Sequence, residues 1–571
     1  MRVYVDQALG RMLEPPPQAL EGEAVMTRHR SFWLALVSTV AMLAASCTGT
    51  GEPSGASGSS GPPLDRDPNT LVVAVDAFNA DFDPASAYLL SEALIWRGIY
   101  ESLIRLKGDS ASEVEPLLAD SWEPNKDASS WTFHLHPGVT FSDGTPLDAE
   151  AVKANYVRTI TIELGTQFIL GSFLPKPEKQ IVVEDPQTIR FDLAYPYPHF
   201  DVVMAAQYGT GLVSPKVFEE HSTGQTDQGH EYLLSHAVGT GPYVLDTLEP
   251  GNQVVLTRNE DYWRGWDGPH FDTIIIRSIP EASTRRQLLE SGDVDIAYAG
   301  TAEDTAAVRS DGRFVVGDFK NLDMTYIILG AYGPLASPEA RQAMNYLFPY
   351  DDFLGTIMKG TLERAHGPFP DLLFTHDPDV FLYDTDVEKA QQLLDQAGVQ
   401  PGTELTYEYY TGFGKEAGLV MQQQLEQVGL KLRLVEKEFS AMNADLTTDR
   451  PVSERANMYY WGWWPDYNDP SDYSWVIFNS DADPSACPCY NSGYYHNAQV
   501  DKIIYDGFSQ TDDAKLTDEM YEAQDLMTRV DPPIIPVGQQ LDDTYFRKDI
   551  QGQVFNPLYI LTWDYYALSR G

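Results

Sequence analysis

The segment Leu405–Val435 reads LTYEYYTGFGKEAGLVMQQQLEQVGLKLRLV. Its first stretch, Leu405–Tyr409, alternates in polarity and predicts a strand. Gly418–Val428 predicts a helix that ends at Gly429, and Lys431–Val435 predicts the next strand. A strand, a helix and a strand in this order are typical of parallel strands joined by a crossover helix. We therefore expect an α/β fold.

The same rhythm continues on both sides of this segment. Pro338–Leu347 and Asp386–Ala397 predict helices, and Ala456–Trp461 predicts the strand that follows. Toward the N-terminus the chain is richer in strands, which we predict at Leu71–Val75, Trp131–Leu135, Thr188–Leu193 and Val254–Thr257. The alternation between α/β and β-rich stretches favours a few intertwined lobes over a string of separate domains.

The predicted strand after the crossover continues into Met458–Tyr473, MYYWGWWPDYNDPSDY. Seven of these sixteen residues are aromatic and three are aspartates, whereas aromatic residues make up 12% of the chain. Aromatic rings with a carboxylate suit a pocket for an organic molecule with one positive end. The alternative is a core strand that runs into an acidic turn. Ligands of open α/β sheets bind beyond the carboxyl ends of the strands, which favours a site here.

The composition argues against a nucleic-acid partner and against a zinc module. The chain has 571 residues and a formal net charge of -45, from 84 acidic and 39 basic residues. Such a surface repels phosphate backbones, so we expect no nucleic-acid partner. Three cysteines are present, and their spacing matches no zinc module.

The N-terminal region predicts export from the cytoplasm. Arg28 and Arg30 precede the apolar run Trp33–Ala45, which is too short for an ordinary membrane span and is typical of a secretion signal. The run ends in Ala-Ala-Ser-Cys at Cys47, which resembles a bacterial lipobox and implies lipidation of that cysteine. Plain signal cleavage beside an incidental cysteine is the alternative. Whether translation starts at Met1 or Met26 stays open.

Several blocks in the body of the chain occur in the order typical of one family. They are EPLLADSW at 115–122, WTFHLHPGVTFSDGTPLDAEAVK at 131–153, GTGPY at 239–243, RNEDYWRG at 258–265, SGDVD at 291–295, RQAMNY at 341–346 and YDTDVEKAQQLLDQAG at 383–398. Together they make the chain resemble the extracytoplasmic solute-binding proteins of ABC importers, in the peptide and nickel family that includes the oligopeptide- and dipeptide-binding proteins.

The resemblance implies a two-lobed periplasmic-binding-protein fold, α/β in class, with hinged lobes and an inserted β-rich domain. It also implies a monomer that is lipid-anchored on the outer face of the cytoplasmic membrane and delivers a peptide or similar organic solute to ABC permease subunits. The expected division of the chain is as follows: 1–25 an untranslated or unstructured extension, 26–46 the lipoprotein signal, 47–68 a Gly/Ser/Pro tether, 69–110 the first segment of lobe I, 111–236 the inserted β-rich domain, 237–320 the second segment of lobe I, 321–529 the lobe II α/β domain, and 530–571 the third segment of lobe I.

The segment GWWPDYNDPSDY, 462–473, is similar to the site strand of the oligopeptide receptors. That similarity implies that Asp466 pairs with the α-amino group of a peptide and that Trp463 walls the first side-chain pocket. Further candidate ligand-binding residues are Trp461, Tyr467 and Asn468. Trp464 and Pro465 depart from the small residues common in the motif, which leaves the ligand's length and class open, with a sugar or nickel complex among the candidates.

Three other interpretations stay open. Aspartates beside tryptophans also occur in glycoside hydrolases, so an anchored glycoside or peptide hydrolase is an alternative, as is a receptor for an oligosaccharide or another non-peptide solute. A signalling receptor without an importer is the third. His134 and His136 share a strand face and could begin a metal site, but the expectation is no metal, no cofactor and no catalysis. Cys487 and Cys489 are assigned no role.

Overall fold

The computed structural model describes residues 67–571 apart from 79–80, 299, 318, 411–412, 448–450, 481–490, 543 and 561. The predicted extension, signal and most of the tether lie outside the described residues, as do Cys47, Cys487 and Cys489. In the described residues, no helix is both long and apolar enough to cross a membrane.

The first lobe is built on a seven-stranded mixed sheet. Its strands are, in spatial order, Phe314–Val316, Tyr545–Arg547, Ile296–Ala297, Thr70–Val75, Thr273–Ser278, Gln253–Arg258 and Tyr243–Glu249. Thr70–Val75 runs parallel to both of its neighbours. Leu71 and Val73 pack into the large cluster on one face while Val72 and Ala74 pack into a second cluster on the other. A strand buried on both faces is apolar throughout, which explains the uninterrupted LVVAV.

A four-stranded antiparallel sheet forms the β-rich domain between two segments of the first lobe. Its strands are Ala119–Pro124, Ser130–Leu135, Thr188–Asp192 and Ile181–Asp185, in that spatial order. Trp131 and Phe133 are buried while Thr132 and His134 are half-exposed, as the alternation predicts. The helix Ala149–Ile162 packs on this sheet and begins at Asp148, whose side chain accepts from the Ala151 amide.

The second lobe is built on a six-stranded sheet. Its strands are, in spatial order, Leu362–Arg364, Ile534–Leu541, Lys320–Leu329, Met458–Trp463, Glu404–Tyr409 and Lys431–Glu436. Glu404–Tyr409 runs parallel to both of its neighbours, which confirms the parallel strands predicted there. Lys320–Leu329 is antiparallel to both of its own neighbours. The α/β class with two lobes and a β-rich insertion is confirmed, and we call Met458–Trp463 the site strand.

One predicted boundary is corrected. The sequence places 530–571 in the first lobe, but Ile534–Leu541 pairs with Lys320–Leu329 in the sheet of the second lobe. The chain rejoins the first sheet only at Tyr545–Arg547. The two passages between the sheets are hydrogen-bonded to each other, because the Gly317 amide donates to the Thr544 carbonyl at 2.9 Å and the Asp542 amide donates to the Phe319 carbonyl at 3.0 Å.

Two short pairings complete the strands, and helices fill the connections. The short pairs are Ile104–Leu106 with Val114–Pro116 and Ile550–Gln551 with Ser569–Arg570. Helices before residue 320 are Leu90–Trp96, Ala149–Ile162, Gln167–Gly171, Pro177–Gln180, Phe200–Met204, Pro215–His221, His230–Leu233, Ala282–Ser291 and Ala302–Ser310. Later α-helices are Pro338–Leu347, Tyr350–Asp352, Val387–Ala397, Phe413–Gln427, Phe439–Thr447, Pro470–Tyr473, Ala498–Gly507 and Asp513–Asp525. The 3₁₀ turns are Gly333–Leu335 and Val452–Glu454, and the π-helical turns are Phe353–Met358, Ser474–Phe478 and Leu526–Val530.

Candidate functional site

The turn that follows the site strand carries the predicted carboxylate. The strand ends at Trp463, and the short helix Pro470–Tyr473 begins after Asp469, whose side chain accepts from the Ser471 amide at 2.8 Å. Asp466 lies between these two elements. The local sequence explains the geometry, because Asp469 caps the helix and Pro470 occupies its first turn, where a missing amide costs nothing.

Asp466 is fully buried at the junction of the two lobes. Its backbone carbonyl accepts from the amide of Gln207, which belongs to the β-rich domain, at 3.4 Å. The side chain is 0% exposed, and neither carboxylate oxygen accepts a hydrogen bond of normal geometry from the described residues. Burial raises its pKa to about 7, although the Tyr88 hydroxyl faces the carboxylate and favours its ionised form.

A second buried carboxylate adjoins the first. Asp472 Oδ2 accepts from the Asp466 amide and from Trp463 Nε1, each at 3.1 Å. Burial, and then the charge of Asp466, raise the pKa of Asp472 well above its usual value. No lysine, arginine or histidine of the described residues forms an ion pair with either acid. A buried acid pair without a counter-charge is costly for the protein alone and suits a cationic guest.

Two tyrosines from the N-terminal half of the chain complete one wall around Asp466. The rings of Tyr88 and Tyr208 lie 4.8 Å apart and are tilted by 56°. The Tyr208 hydroxyl accepts from Gln207 Nε2 at 3.1 Å. Burial and the nearby charge of Asp466 raise the pKa of both tyrosines well above the usual value, so both hydroxyls keep their protons. Sequence reasoning missed both tyrosines.

The residues that follow Asp466 bridge the lobes. Asn468 Nδ2 donates to the Ala111 carbonyl at 3.0 Å and to the Leu372 carbonyl at 3.3 Å. The Tyr467 ring packs with the apolar cluster of the first lobe and the β-rich domain. The structure therefore brings Asp466, Tyr467 and Asn468 together at the interlobe junction.

The two tryptophans of the site strand pack differently. Trp461 and Trp463 are 3% and 6% exposed and belong to the apolar cluster of the second lobe. Trp461 stacks on Phe439 with ring centroids 5.6 Å apart. Trp463 reaches the acid pair through its bond to Asp472. Both rings are therefore packed mainly within the second lobe, and Trp463 touches the candidate site through Asp472.

Asp323 is a further buried acid that sequence reasoning missed. It is 2% exposed, and burial followed by the charge of Asp542 raises its pKa well above the usual value. The Trp464 indole faces its carboxylate, and Oδ1 has no hydrogen-bond partner among the described residues. The sequence does indicate this residue, because Asp323 is the single acid in the apolar run LDMTYIIL, 322–329.

The two histidines considered for a metal site face separate carboxylates. His134 Nε2 lies 3.3 Å from Glu123 Oε1, and His136 Nδ1 lies 2.8 Å from Asp120 Oδ1. The His136 ring also lies against Trp263, with centroids 4.8 Å apart. Each imidazole is therefore paired with its own carboxylate at the surface.

Comparison with known proteins gives a consistent set of likenesses. The family model described as "Bacterial extracellular solute-binding proteins, family 5 Middle" matches residues 113–485. The chain is 27% identical over 506 residues to the probable D,D-dipeptide-binding periplasmic protein DdpA of Escherichia coli strain K12, covering 88% of this chain and 94% of that protein. It is 26% identical over 478 residues to the glutathione-binding protein GsiB of Salmonella typhimurium strain LT2, covering 82% and 89%.

Solved structures share the fold. The periplasmic binding protein DppA of Helicobacter pylori, in complex with the peptide STSA, has a TM-score of 0.74 at 21% identity and covers 88% of this chain and 98% of its own. NikZ of Campylobacter jejuni, in complex with Ni(L-His), has a TM-score of 0.73 at 19% identity and covers 88% and 100%. These likenesses confirm the two-lobed architecture.

Proposed function

Because the chain belongs to family 5 of the bacterial extracellular solute-binding proteins, we propose that it captures a peptide or similar organic cation between its lobes and delivers it to an ABC permease. The family predicted from the sequence is thereby confirmed. Support for a peptide comes from the relatives, since DdpA is named for D,D-dipeptides and GsiB for glutathione. The chain matches 94% of the length of DdpA, which supports the same class of role.

The observation that carries this proposal is the uncompensated carboxylate of Asp466 at the lobe junction. An ammonium group taken out of water needs a counter-charge and strong hydrogen bonds. Asp466 supplies the charge, and Asp472 adds a second acid within one hydrogen bond of the Asp466 backbone. A ligand with a free amine would therefore relieve the cost of burying the pair.

The other candidate residues take supporting roles. Tyr467 and Asn468 hold the turn against the first lobe, and Asn468 ties that turn to Ala111 and Leu372. Trp463 orients Asp472, while Trp461 supports the site strand from within its own lobe. Ligand contacts to both lobes favour the closed arrangement in this proposal, as in a hinged clamp.

We further propose that the protein is a monomeric receptor that has no catalytic activity and no cofactor. The lipobox-like residues before Cys47 support a lipid anchor on the outer face of the cytoplasmic membrane. The tether to residue 68 would separate that anchor from the folded body. We also propose the domain boundaries predicted from the sequence, except that the third segment of lobe I does not begin at 530.

The test is native mass spectrometry of the protein purified from its own host, followed by calorimetry with free and N-acetylated peptides. We expect a copurifying compound with a free amine, and saturable binding of free-amine peptides without product formation. Peptide or oligosaccharide turnover would establish a hydrolase instead. Equal affinity for free and acetylated peptides would contradict the role of Asp466.

A further inference from the structure

A cluster of three side chains lies on the segment between the strand Leu362–Arg364 and the helix Val387–Ala397, apart from the acid pair. We propose that His366, Asp371 and His376 form a binding site for one divalent transition-metal ion, with zinc as the best fit. Among the described residues, one donor atom from each of these side chains falls within 4.8 Å of the other two. The proposal departs from the sequence expectation of no metal.

Two of the three donor separations are close to those around a tetrahedral ion. Asp371 Oδ1 lies 3.4 Å from His366 Nδ1 and 3.7 Å from His376 Nε2. Zinc bonds to imidazole and carboxylate are about 2.0–2.2 Å long, so two ligands on one tetrahedral ion lie about 3.3–3.5 Å apart. Two imidazoles with one carboxylate are a ligand set that zinc accepts, with a fourth position left for water.

The hydrogen bonding of Asp371 is incomplete without an ion. Asp371 Oδ1 is buried and has no hydrogen-bond partner among the described residues. The His376 side chain is 9% exposed, and its Nε2 faces Asp371 Oδ1 at 3.7 Å. An ion between these donors would satisfy Asp371 Oδ1.

The groups around the cluster hold the donors in place. Asp371 Oδ2 accepts from Lys320 Nζ at 2.6 Å, which leaves Oδ1 turned toward the histidines. The Phe369 backbone lies beside the His376 ring, where an acceptor would fix the tautomer of a coordinating histidine.

An ion at this position would tie together the two ends of the segment 366–376. Within that segment, the Leu372 carbonyl accepts from Asn468, and the Phe374 ring lies 5.1 Å from the His199 ring of the β-rich domain. The site would therefore stiffen a segment that contacts both the candidate ligand turn and the opposite side of the junction.

The experiment uses the untagged full-length protein, stripped with a chelator and titrated calorimetrically with Zn²⁺, Co²⁺ and Ni²⁺. We expect one ion per chain, visible d–d bands of low-symmetry cobalt, and a rise in melting temperature with zinc. His366→Ala and Asp371→Asn each remove one proposed ligand, so each should weaken binding by more than the roughly 10–100-fold that follows loss of a group supporting a ligand. Because the His366 side chain is 43% exposed, His366→Ala tests the site without opening the core.

The matched control is the double variant His134→Ala, His136→Ala, which removes two surface imidazoles of the β-rich domain and should leave zinc affinity unchanged. The proposal is overturned if the stripped protein binds none of the three ions, or if His366→Ala binds them as tightly as the parent. Loss of binding in the control variant would place the ion elsewhere and would also overturn it.

Discussion

The backbone amide of Asp466 donates to the side chain of Asp472 at 3.1 Å, so two buried carboxylates share one hydrogen-bonded turn. The turn sits where the β-rich domain meets the second lobe, through the contact of Gln207 with the Asp466 carbonyl. Both acids have raised pKa values because burial disfavours their charge. A protein keeps such a pair at a cost to its own stability, which a cationic ligand can offset.

The first prediction concerns the affinity for free amines. Asp466→Asn should weaken binding of free-amine peptides by about 2–5 kcal/mol, because it removes the charge that pairs with the ammonium. N-acetylated peptides should lose little, since they carry no such charge. Calorimetry with matched free and acetylated peptides measures both. Asp384→Asn is the control, because Asp384 is a 92% exposed acid of the second lobe. Equal losses for both peptides would remove the proposed role of Asp466.

The second prediction concerns a buried ion pair that holds the first lobe to the β-rich domain. Arg158 donates to Asp83 Oδ1 at 2.8 Å and to Oδ2 at 2.5 Å, and both side chains are almost fully buried. Arg158→Met should lower the free energy of unfolding by about 3–5 kcal/mol, because the Asp83 charge is left without its main partner. Urea unfolding followed by tryptophan fluorescence checks this.

The same pair gives a pH dependence. Burial opposes the charge of Asp83, but Arg158 and His230 lower its pKa from 3.8 to about 2. A lowered pKa adds stability that is present above pH 3.8 and is lost as the pH falls through about 2. The gap between parent and Arg158→Met should therefore narrow over that range. Arg190→Met, at a half-exposed pair, is the control and should cost about 0–1 kcal/mol.

The third prediction concerns a hydrogen bond across the junction. The Tyr197 hydroxyl of the β-rich domain lies 2.8 Å from Ser471 Oγ of the second lobe. Tyr197→Phe and Ser471→Ala should each weaken ligand binding by about 0.5–1.5 kcal/mol, because the bond ties the β-rich domain to the second lobe across the proposed binding junction. The double variant should lose no more than either single variant. Fully additive losses in this cycle would mean that the two groups act separately.

Local signals in the sequence were sufficient for much of the fold. The helix Pro338–Leu347 has the predicted bounds, because Ser337 caps its first turn and Pro338 follows. The helix Val387–Ala397 begins after Asp386 and ends at Gly398, as predicted. The residues before the helix Leu90–Trp96 form a turn, because the Asp83 side chain accepts from the Ala85 amide and the Asp83 carbonyl accepts from the amides of residues 86 and 87. A side-chain turn of this kind competes with the helix and leaves little periodic signal.

The sequence predicted the residues of the site that follow the site strand, but not those from the N-terminal half of the chain. Asp466 follows a strand in an aromatic segment, and both features are visible in the sequence. Tyr88 and Tyr208 come from segments more than 250 residues earlier and meet Asp466 only through the packing of the lobes. Nothing in their own neighbourhoods marks them, since a tyrosine is as common in a core as in a site. Asp323 could have been found as the single acid in an apolar strand.

The fourth prediction concerns the pH dependence of binding. With a pKa of about 7, Asp466 is partly protonated at neutral pH in the ligand-free arrangement. A cationic ligand favours the ionised acid, so binding should release a proton at low pH. Affinity for free-amine peptides should therefore rise with pH up to about 7 and fall again above about 8, where the α-amino group loses its proton. Calorimetry in buffers of different ionisation enthalpy measures the number of protons released on binding. Asp466→Asn should release fewer protons and show a smaller rise in affinity over the same pH range.

The fifth prediction separates a functional acid from a structural one. The pKa of Asp466 rises from 3.8 to about 7 on folding, so its contribution to stability is full below pH 3.8 and is lost as the pH rises through about 7. Above that pH the unliganded protein buries an unpaired charge, and Asp466→Asn should melt a few degrees higher than the parent. The gap should shrink as the pH falls toward 3.8, where the parent acid is neutral in the folded state. Scanning calorimetry of ligand-free protein measures this, with Asp384→Asn as the exposed control. A lower melting temperature for Asp466→Asn in alkaline buffer would mean that Asp466 stabilises the ligand-free fold, and it would contradict a role for this acid in binding alone.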